Sequence, residues 1–134
     1  MIESCVVDTD VVSYLYKRDT RAEDYHAHLD GKLMTISFMT IAELDRWTLE
    51  RNWGEKRKAD LEKFLHRFTV IEVSRALCLK WAEASHSARR NGRPIEAADA
   101  WIAATALLYD VPLVTHNRKD YSGVADLQVI SEAP

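Results

Sequence analysis

The chain has 134 residues, of which 47% are apolar and 29% charged, and its formal net charge is −3. This length and composition predict a single domain over residues 1–134, and they exclude a disordered chain or a strongly basic nucleic-acid-binding module. Cys5 and Cys78 are too few for a disulfide framework, so we expect two free thiols. No cationic leader and no apolar run of membrane-spanning length is visible, so we expect a cytoplasmic protein without a membrane partner.

Short apolar runs alternate with segments of helical periodicity along the chain. Strands are predicted over residues 4–8, 32–37, 69–73, 111–115 and 127–131. Helices are predicted over residues 10–17, 21–30, 38–52, 55–67, 75–90 and 94–110. Thr9 or Asp10 is expected to cap the first helix, Gly31 to end the second, Ser74 to cap the fifth and Pro94 to start the sixth.

Alternating strands and helices predict an α/β fold, a three-layer α/β/α sandwich with a mostly parallel sheet of four or five strands. Ligands of such sheets bind beyond the carboxyl ends of the strands. Asp8 ends the first predicted strand, and Thr115 ends the fourth. His116, Asn117 and Asp120 follow Thr115 closely.

Asp99 stands in the stretch EAADAWIAA, the most apolar and small-residue helix of the chain. No Lys or Arg lies three or four positions away, so no local ion pair can neutralise its carboxylate. Two interpretations are open. Asp99 belongs to a site at the edge of the sheet, or it points to solvent or bonds a neighbouring helix terminus.

Glu43 lies near the start of the helix after the second strand, which places it at the same sheet edge as Asp8. The alternative is an exposed Glu43 paired with Arg46 on its own helix. Asp10 has a simple role as a helix cap or first-turn acid. Asn117 and Asp120 are also compatible with an ordinary polar turn.

Taken together, these acidic and amide side chains come from four segments whose ends the predicted fold brings to one rim. Several carboxylates share a site in ionised form only beside a cation, because like charges raise one another's pKa. Oxygen ligands select a hard cation such as Mg²⁺ or Mn²⁺, and such sites perform phosphoryl chemistry. His116 is placed to contact a phosphate there, or is a plain loop histidine.

Four stretches carry a resemblance to a known family: VVDTDVVSYLY, TIAELDRW, IEAADAWIAATAL and PLVTHNRKDY. In this order, and across nearly the whole chain, they resemble the PIN-domain family, specifically the VapC-type toxins of bacterial type II toxin–antitoxin pairs. The pairing of DAWIAATAL with LVTHNRKDY is the more specific part of the match.

The resemblance implies a metal-dependent endoribonuclease with Asp8, Glu43 and Asp99 as the metal-binding acids. Asn117 stands at a fourth family position that is often acidic, so the resemblance leaves open whether Asn117 or Asp120 assists the metal through water. Thr115 matches a hydroxyl position that orients the metal ligands. Asp10 matches a variable polar position and is expected at most to support those ligands.

The resemblance further implies Mg²⁺ or Mn²⁺ as cofactor and a metal-activated water that attacks an RNA phosphodiester in line. The products would carry a 5′-phosphate and a 3′-hydroxyl. It also implies a homodimer and a cognate antitoxin protein, with promoter DNA bound only through the antitoxin complex. The RNA sequence that is cut does not follow from the chain.

Substrate binding requires positive charge despite the net charge of −3. Arg93 and Arg118 are the candidate phosphate contacts because they stand beside the motif segments, whereas the run 56–58 is interpreted as a solvated helix face.

Two other functions are compatible with parts of the sequence. One is a haloacid-dehalogenase-like phosphatase, in which Asp8 is the nucleophile and Asp10 the acid/base. The other is a catalytically inactive PIN domain that only binds RNA or a partner, which Asn117 favours.

Overall fold

The structure is a computed structural model that describes residues 3–134. Its strands are β1 (Ser4–Val7), β2 (Leu33–Ser37), β3 (Thr69–Ile71), β4 (Leu113–Val114) and β5 (Val129–Ile130). Its α-helices are α1 (Thr9–Lys17), α2 (Glu23–Leu29), α3 (Phe38–Glu50), α4 (Glu55–Leu65), α5 (Arg75–Arg90) and α6 (Ala97–Tyr109). Short 3₁₀ helices cover Thr20–Ala22 and Arg118–Tyr121. None of the helices in this part of the chain is long and apolar enough to cross a membrane.

The sheet is parallel throughout, with the strand order β3-β2-β1-β4-β5. Side chains alternate across it, because successive residues of a strand point to opposite faces. Cys5 and Val7 pack on one face, against residues of α1 to α4, and Val6 packs on the other, against α5 and α6. All three side chains are fully buried. The predicted three-layer α/β/α fold is therefore confirmed.

The strand order places a crevice at the centre of the sheet. From β1 the chain adds β2 and β3 on one side and then β4 and β5 on the other, so connections leave the carboxyl ends of β1 and β4 in opposite directions. Ligands of open α/β sheets bind at such a switch point. Asp8 follows β1 and Thr115 follows β4, so both stand at this crevice.

Two predicted helix starts are wrong. The cap of α1 is Asp8, not Thr9 or Asp10, because the Asp8 carboxylate accepts the Thr9 N–H at 2.7 Å. Helix α6 begins at Ala97, not at Pro94. The backbone just before Pro94 packs closely against Gly123 instead of starting the helix. A Cβ added to Gly123 would lie 2.5 Å from the carbonyl oxygen of Arg93, a close approach that only glycine allows.

Two other predicted boundaries agree with the structure. Gly31 follows the end of α2 with φ +77°, and Ser74 caps α5 by accepting the Leu77 N–H at 3.1 Å. Strands β4 and β5 are shorter than predicted, with two residues each.

Candidate metal and active site

Asp8 occupies the centre of the crevice and is 6% exposed. Its Oδ1 accepts the Thr9 N–H, and its Oδ2 accepts the hydroxyls of Thr115 at 2.7 Å and Tyr121 at 2.9 Å. Burial raises the pKa of Asp8 to about 7, and the charge of Asp10 adds to this rise, while the three hydrogen bonds oppose it. The carboxylate is thus held in one orientation by donors, and it forms no ion pair within residues 3–134.

Tyr121 is a site residue that sequence reasoning missed. Its ring is 2% exposed, and its hydroxyl also lies 3.5 Å from Oδ1 of Asp99. Burial, followed by the charges of Asp8 and Asp99, raises the pKa of Tyr121 well above its usual value, so the hydroxyl keeps its proton. The available signal was the position of the tyrosine at the end of PLVTHNRKDY, but an aromatic residue there is also typical of simple core packing.

Glu43 is partly buried on α3 and points to α1 rather than along its own helix. Its Oε1 accepts the hydroxyl of Thr9 at 2.7 Å, and the Thr40 hydroxyl lies 2.9 Å from that of Thr9. Arg46, the partner considered from sequence, pairs instead with Glu50 at 3.5 Å. Thr9 was missed as a site residue because its contact with Glu43 joins segments 34 positions apart.

Asp99 lies in the first turn of α6 and is partly buried. Burial raises its pKa to about 7, and the charges of Asp8, Asp120 and Glu43 raise it further, in that order. Charges act on one another in this way only over short distances. The Tyr121 hydroxyl, 2.9 Å from Asp8 and 3.5 Å from Asp99, places these two acids beside each other.

Asp10 borders the same cluster on the α1 side. Its Oδ1 accepts the Val11 N–H at 2.7 Å and its Oδ2 the His116 N–H at 3.1 Å. Burial raises the pKa of Asp10 to about 6, and the charges of Asp99 and Asp120 contribute to the rise. The His116 ring is engaged by the Tyr25 hydroxyl, 2.5 Å from its Nδ1.

Asn117 and Asp120 form one exposed unit beside the crevice. The Asn117 side-chain amide donates to Oδ2 of Asp120 at 2.6 Å, and the Asn117 backbone N–H donates to the Thr115 hydroxyl at 3.0 Å. After burial, the charge of Asp120 contributes to the raised pKa values of Asp10 and Asp99.

The two candidate substrate contacts are both exposed. Arg118 begins the 3₁₀ helix that carries Asp120, and Arg93 packs by its backbone against Gly123. Neither arginine forms an ion pair with another residue of the segment 3–134.

The donor set at the crevice fits a hard divalent cation. All the candidate ligands are oxygen atoms, and none of the ion pairs found within residues 3–134 involves Asp8, Asp10, Glu43, Asp99 or Asp120. The same residues contain no group of three or more Asp, Glu, His or Cys side chains already arranged to hold a metal ion. The acidic side chains therefore lie near the crevice but are not arranged as a complete set of metal ligands in this structure.

Fold and site together define a class of protein: a parallel α/β/α domain that gathers acidic side chains at the switch point of its sheet. Residues 5–127 match the PIN domain family, and the chain belongs to this family, among its VapC-type members. The resemblance seen in the sequence is thereby confirmed.

Several relatives match over almost their whole length. Ribonuclease VapC1 of Haemophilus influenzae (strain R2866) is 30% identical over 92% of this chain and 93% of its own. The tRNA(fMet)-specific endonuclease VapC of Shigella flexneri is 24% identical over 92% and 93% of the two chains. The structure of VapBC-1 from nontypeable H. influenzae has a TM-score of 0.79 and 28% identity over 96% and 97%. DNA-bound VapBC from Salmonella typhimurium, at 20% identity, shares the fold with a TM-score of 0.83 over 98% of each chain.

Proposed function

We propose that this protein is a Mg²⁺- or Mn²⁺-dependent endoribonuclease that acts as the toxin of a toxin–antitoxin pair. One observation carries the proposal: the Tyr121 hydroxyl lies 2.9 Å from Asp8 and 3.5 Å from Asp99, the charge of Glu43 contributes to the raised pKa of Asp99, and no ion pair within residues 3–134 neutralises these acids, in a chain of the PIN family. The names of its relatives, ribonuclease VapC1 and the tRNA(fMet)-specific endonuclease VapC, support RNA as the substrate class.

Asp8, Glu43 and Asp99 would hold the cation, with Asp120 adding negative charge through water. A bound divalent cation lowers the pKa of water and stabilises charge on a phosphate during in-line displacement. Thr115 and Tyr121 fix the Asp8 carboxylate by donating to Oδ2, and Thr9 fixes Glu43 in the same way. Such supporting donors keep the ligand oxygens oriented before the ion arrives.

The remaining side chains act around this centre. Asn117 orients Asp120 through its amide, and Asp10 ties the loop after β4 to α1 by accepting the His116 N–H. Arg93 and Arg118 are proposed to bind phosphates of the substrate, because both are exposed and carry no ion-pair partner in the described chain.

The partners follow from the same relatives. The H. influenzae neighbour is a VapBC complex, and the Rickettsia felis VapBC2 structure contains a promoter DNA fragment. We therefore expect this chain to bind a cognate antitoxin and to reach promoter DNA only through that complex, and the family resemblance adds a homodimer.

The phosphatase alternative is less compatible with the family match, because residues 5–127 match the PIN domain family and its VapC relatives are named ribonucleases. The binding-only alternative rests on Asn117, and the carboxylate of the adjacent Asp120 weighs against it.

A cleavage assay tests the proposal. We expect the purified protein to cut RNA with Mg²⁺ or Mn²⁺ and to stop when EDTA is added, leaving 5′-phosphate and 3′-hydroxyl ends. Asp8→Asn and Asp99→Asn should each abolish cleavage and growth inhibition while retaining the fold. Mapping the cut sites in total RNA after brief induction would identify the substrate.

The exposed Asp45→Asn provides a charge-matched control that should cleave normally. Full activity of Asp8→Asn or Asp99→Asn would refute the site. Cleavage that continues in EDTA would refute the metal dependence, and RNA binding without cleavage would favour the inactive PIN domain.

A further inference from the structure

A connected chain of aromatic rings lies on the α1, α3 and α4 side of the sheet, away from the carboxylates. The ring centroids of Trp47 and Trp53 are 4.9 Å apart, those of Trp53 and Tyr16 are 5.9 Å apart, and those of Tyr16 and Phe64 are 5.3 Å apart. These rings come from α1, α3, α4 and the loop before α4. They are adjacent only in the folded chain.

Four cations lie over these rings. Lys17 Nζ lies 4.5 Å and Arg51 Cζ 4.9 Å from the Trp47 centroid. Arg57 Cζ lies 3.8 Å from the centroid of Trp53, and Arg67 Cζ lies 4.7 Å from that of Phe64. We refer to the group Lys17, Arg51, Arg57 and Arg67, with the rings beneath it, as the cation–ring surface.

The cations of this surface are exposed and carry no carboxylate partner within ion-pair distance in the described chain. Neighbouring cations differ in this respect: Arg46 pairs with Glu50 at 3.5 Å and Lys58 with Glu55 at 3.9 Å. Among the rings, Tyr16 donates its hydroxyl to the acid Asp60 at 3.0 Å. Although the chain has a net charge of −3, the cation–ring surface therefore concentrates positive side chains that remain available to bind an anion.

The surface leads away from the carboxylates along two helices. Trp47 and Arg51 follow Glu43 on α3 by one and two turns, about 6 and 12 Å along the axis. Lys17 follows Thr9, the residue that contacts Glu43, by eight positions on α1. Helices α1 and α3 therefore run from the acidic crevice toward these cations.

We propose that the cation–ring surface binds the phosphate backbone of single-stranded RNA on one side of the cleaved bond, a proposal that rests on the function proposed above. Guanidinium groups bind phosphates through paired N–H donors, and a ring beneath fixes the orientation of that fork. Because cations already cover the rings, phosphate contacts rather than base stacking give the affinity. An open cavity of about 640 Å³ beside Arg57, also lined by Lys56 and Lys63, adds room and charge for a polyanion.

The test compares two triple variants with the same loss of charge. K17Q/R51Q/R57Q removes three cations of the surface, and R46Q/K58Q/K80Q removes three that are paired with glutamates, Lys80 with Glu83 at 3.4 Å. Both are made in the Asp99→Asn background, and binding of a fluorescein-labelled single-stranded RNA is followed by anisotropy between 50 and 300 mM salt. Circular dichroism and thermal melting confirm that both variants fold.

We expect K17Q/R51Q/R57Q to weaken RNA binding at least about tenfold and to reduce the slope of log K against log salt by about 2, as three lost phosphate contacts require. The control should change binding less than about twofold. In the cleaving protein, the first variant should raise KM and leave kcat unchanged.

Equal RNA binding by the two variants would overturn the proposal. So would unchanged RNA binding with loss of antitoxin binding, which would assign the surface to a protein partner. Because binding is measured without cleavage, RNA that binds here but is never cut by the wild-type protein would overturn only the nuclease function.

Discussion

Replacing Asp8 by Asn should stabilise the metal-free protein at alkaline pH while abolishing its activity. The pKa of Asp8 lies at about 7 in the folded chain, against 3.8 for an unperturbed carboxyl. At pH 8 this difference corresponds to about 4 kcal/mol of unfavourable ionisation in the folded state. The asparagine oxygen can still accept the hydroxyls of Thr115 and Tyr121, but its NH₂ group then faces the Thr9 N–H, which costs about 1–3 kcal/mol.

The net stabilisation expected at pH 8 is therefore about 1–3 kcal/mol, or a rise in Tm of about 3–11 °C. At pH 5 the folded carboxyl is protonated but the unfolded one is mostly ionised, so about 1.7 kcal/mol of the penalty remains and roughly offsets the lost hydrogen bond. The effect of the substitution on the free energy of unfolding should thus differ by about 2–4 kcal/mol between the two pH values.

Urea denaturation in EDTA at pH 5 and pH 8 measures this difference. The exposed Asp45→Asn on α3 is the control and should change stability by the same small amount at both pH values. A destabilisation by Asp8→Asn that is equal at pH 5 and pH 8 would refute the reasoning, because the folded protein would then tolerate the charge without a cation.

The remaining predictions concern the cation and its supporting contacts. Because the folded state binds more protons than the unfolded state between pH 3.8 and about 7, the Tm of the metal-free protein should fall as pH rises from 5 to 8. Mn²⁺ should raise the Tm more at pH 8 than at pH 5. A response to Mn²⁺ that does not depend on pH would contradict the carboxylate site. Tyr121→Phe keeps the buried ring but removes a hydrogen bond to the Asp8 carboxylate, so calorimetry should show Mn²⁺ binding weakened about 10–100-fold. Unchanged Mn²⁺ affinity would show that the hydroxyl has only a structural role. Thr9→Val leaves Glu43 without its donor and should weaken Mn²⁺ binding in the same range, with Thr9→Ser restoring it. Asp120→Asn should weaken Mn²⁺ binding more than Asn117→Ala, and the reverse order would show that the amide is the ligand.

Local signals in the sequence determined the architecture and most of the acidic site. The alternation of apolar strands with periodic helices predicts the parallel α/β/α fold, because both signals depend only on nearby residues. Asp8 and Glu43 could be assigned to one edge by a general rule, since the carboxyl ends of parallel strands share that edge. Asp99 could be singled out because its own helix offers no cation.

Only the tertiary structure decided which side chains support those acids. The Tyr121 hydroxyl meets Asp8 across 113 positions of chain, and Thr9 meets Glu43 across 34. Whether such groups touch depends on sheet order, helix rotation and close approaches such as that at Gly123, none of which is encoded by local periodicity.

The same reason explains the cation–ring surface. The run 56–58 has the sequence pattern of a solvated helix face, and Arg57 is indeed exposed, yet packing places its guanidinium over Trp53. Rings from separate segments join only once the helices are packed on the sheet. The sequence fixes which charges and rings exist, and the packing of distant helices decides which of them form a surface.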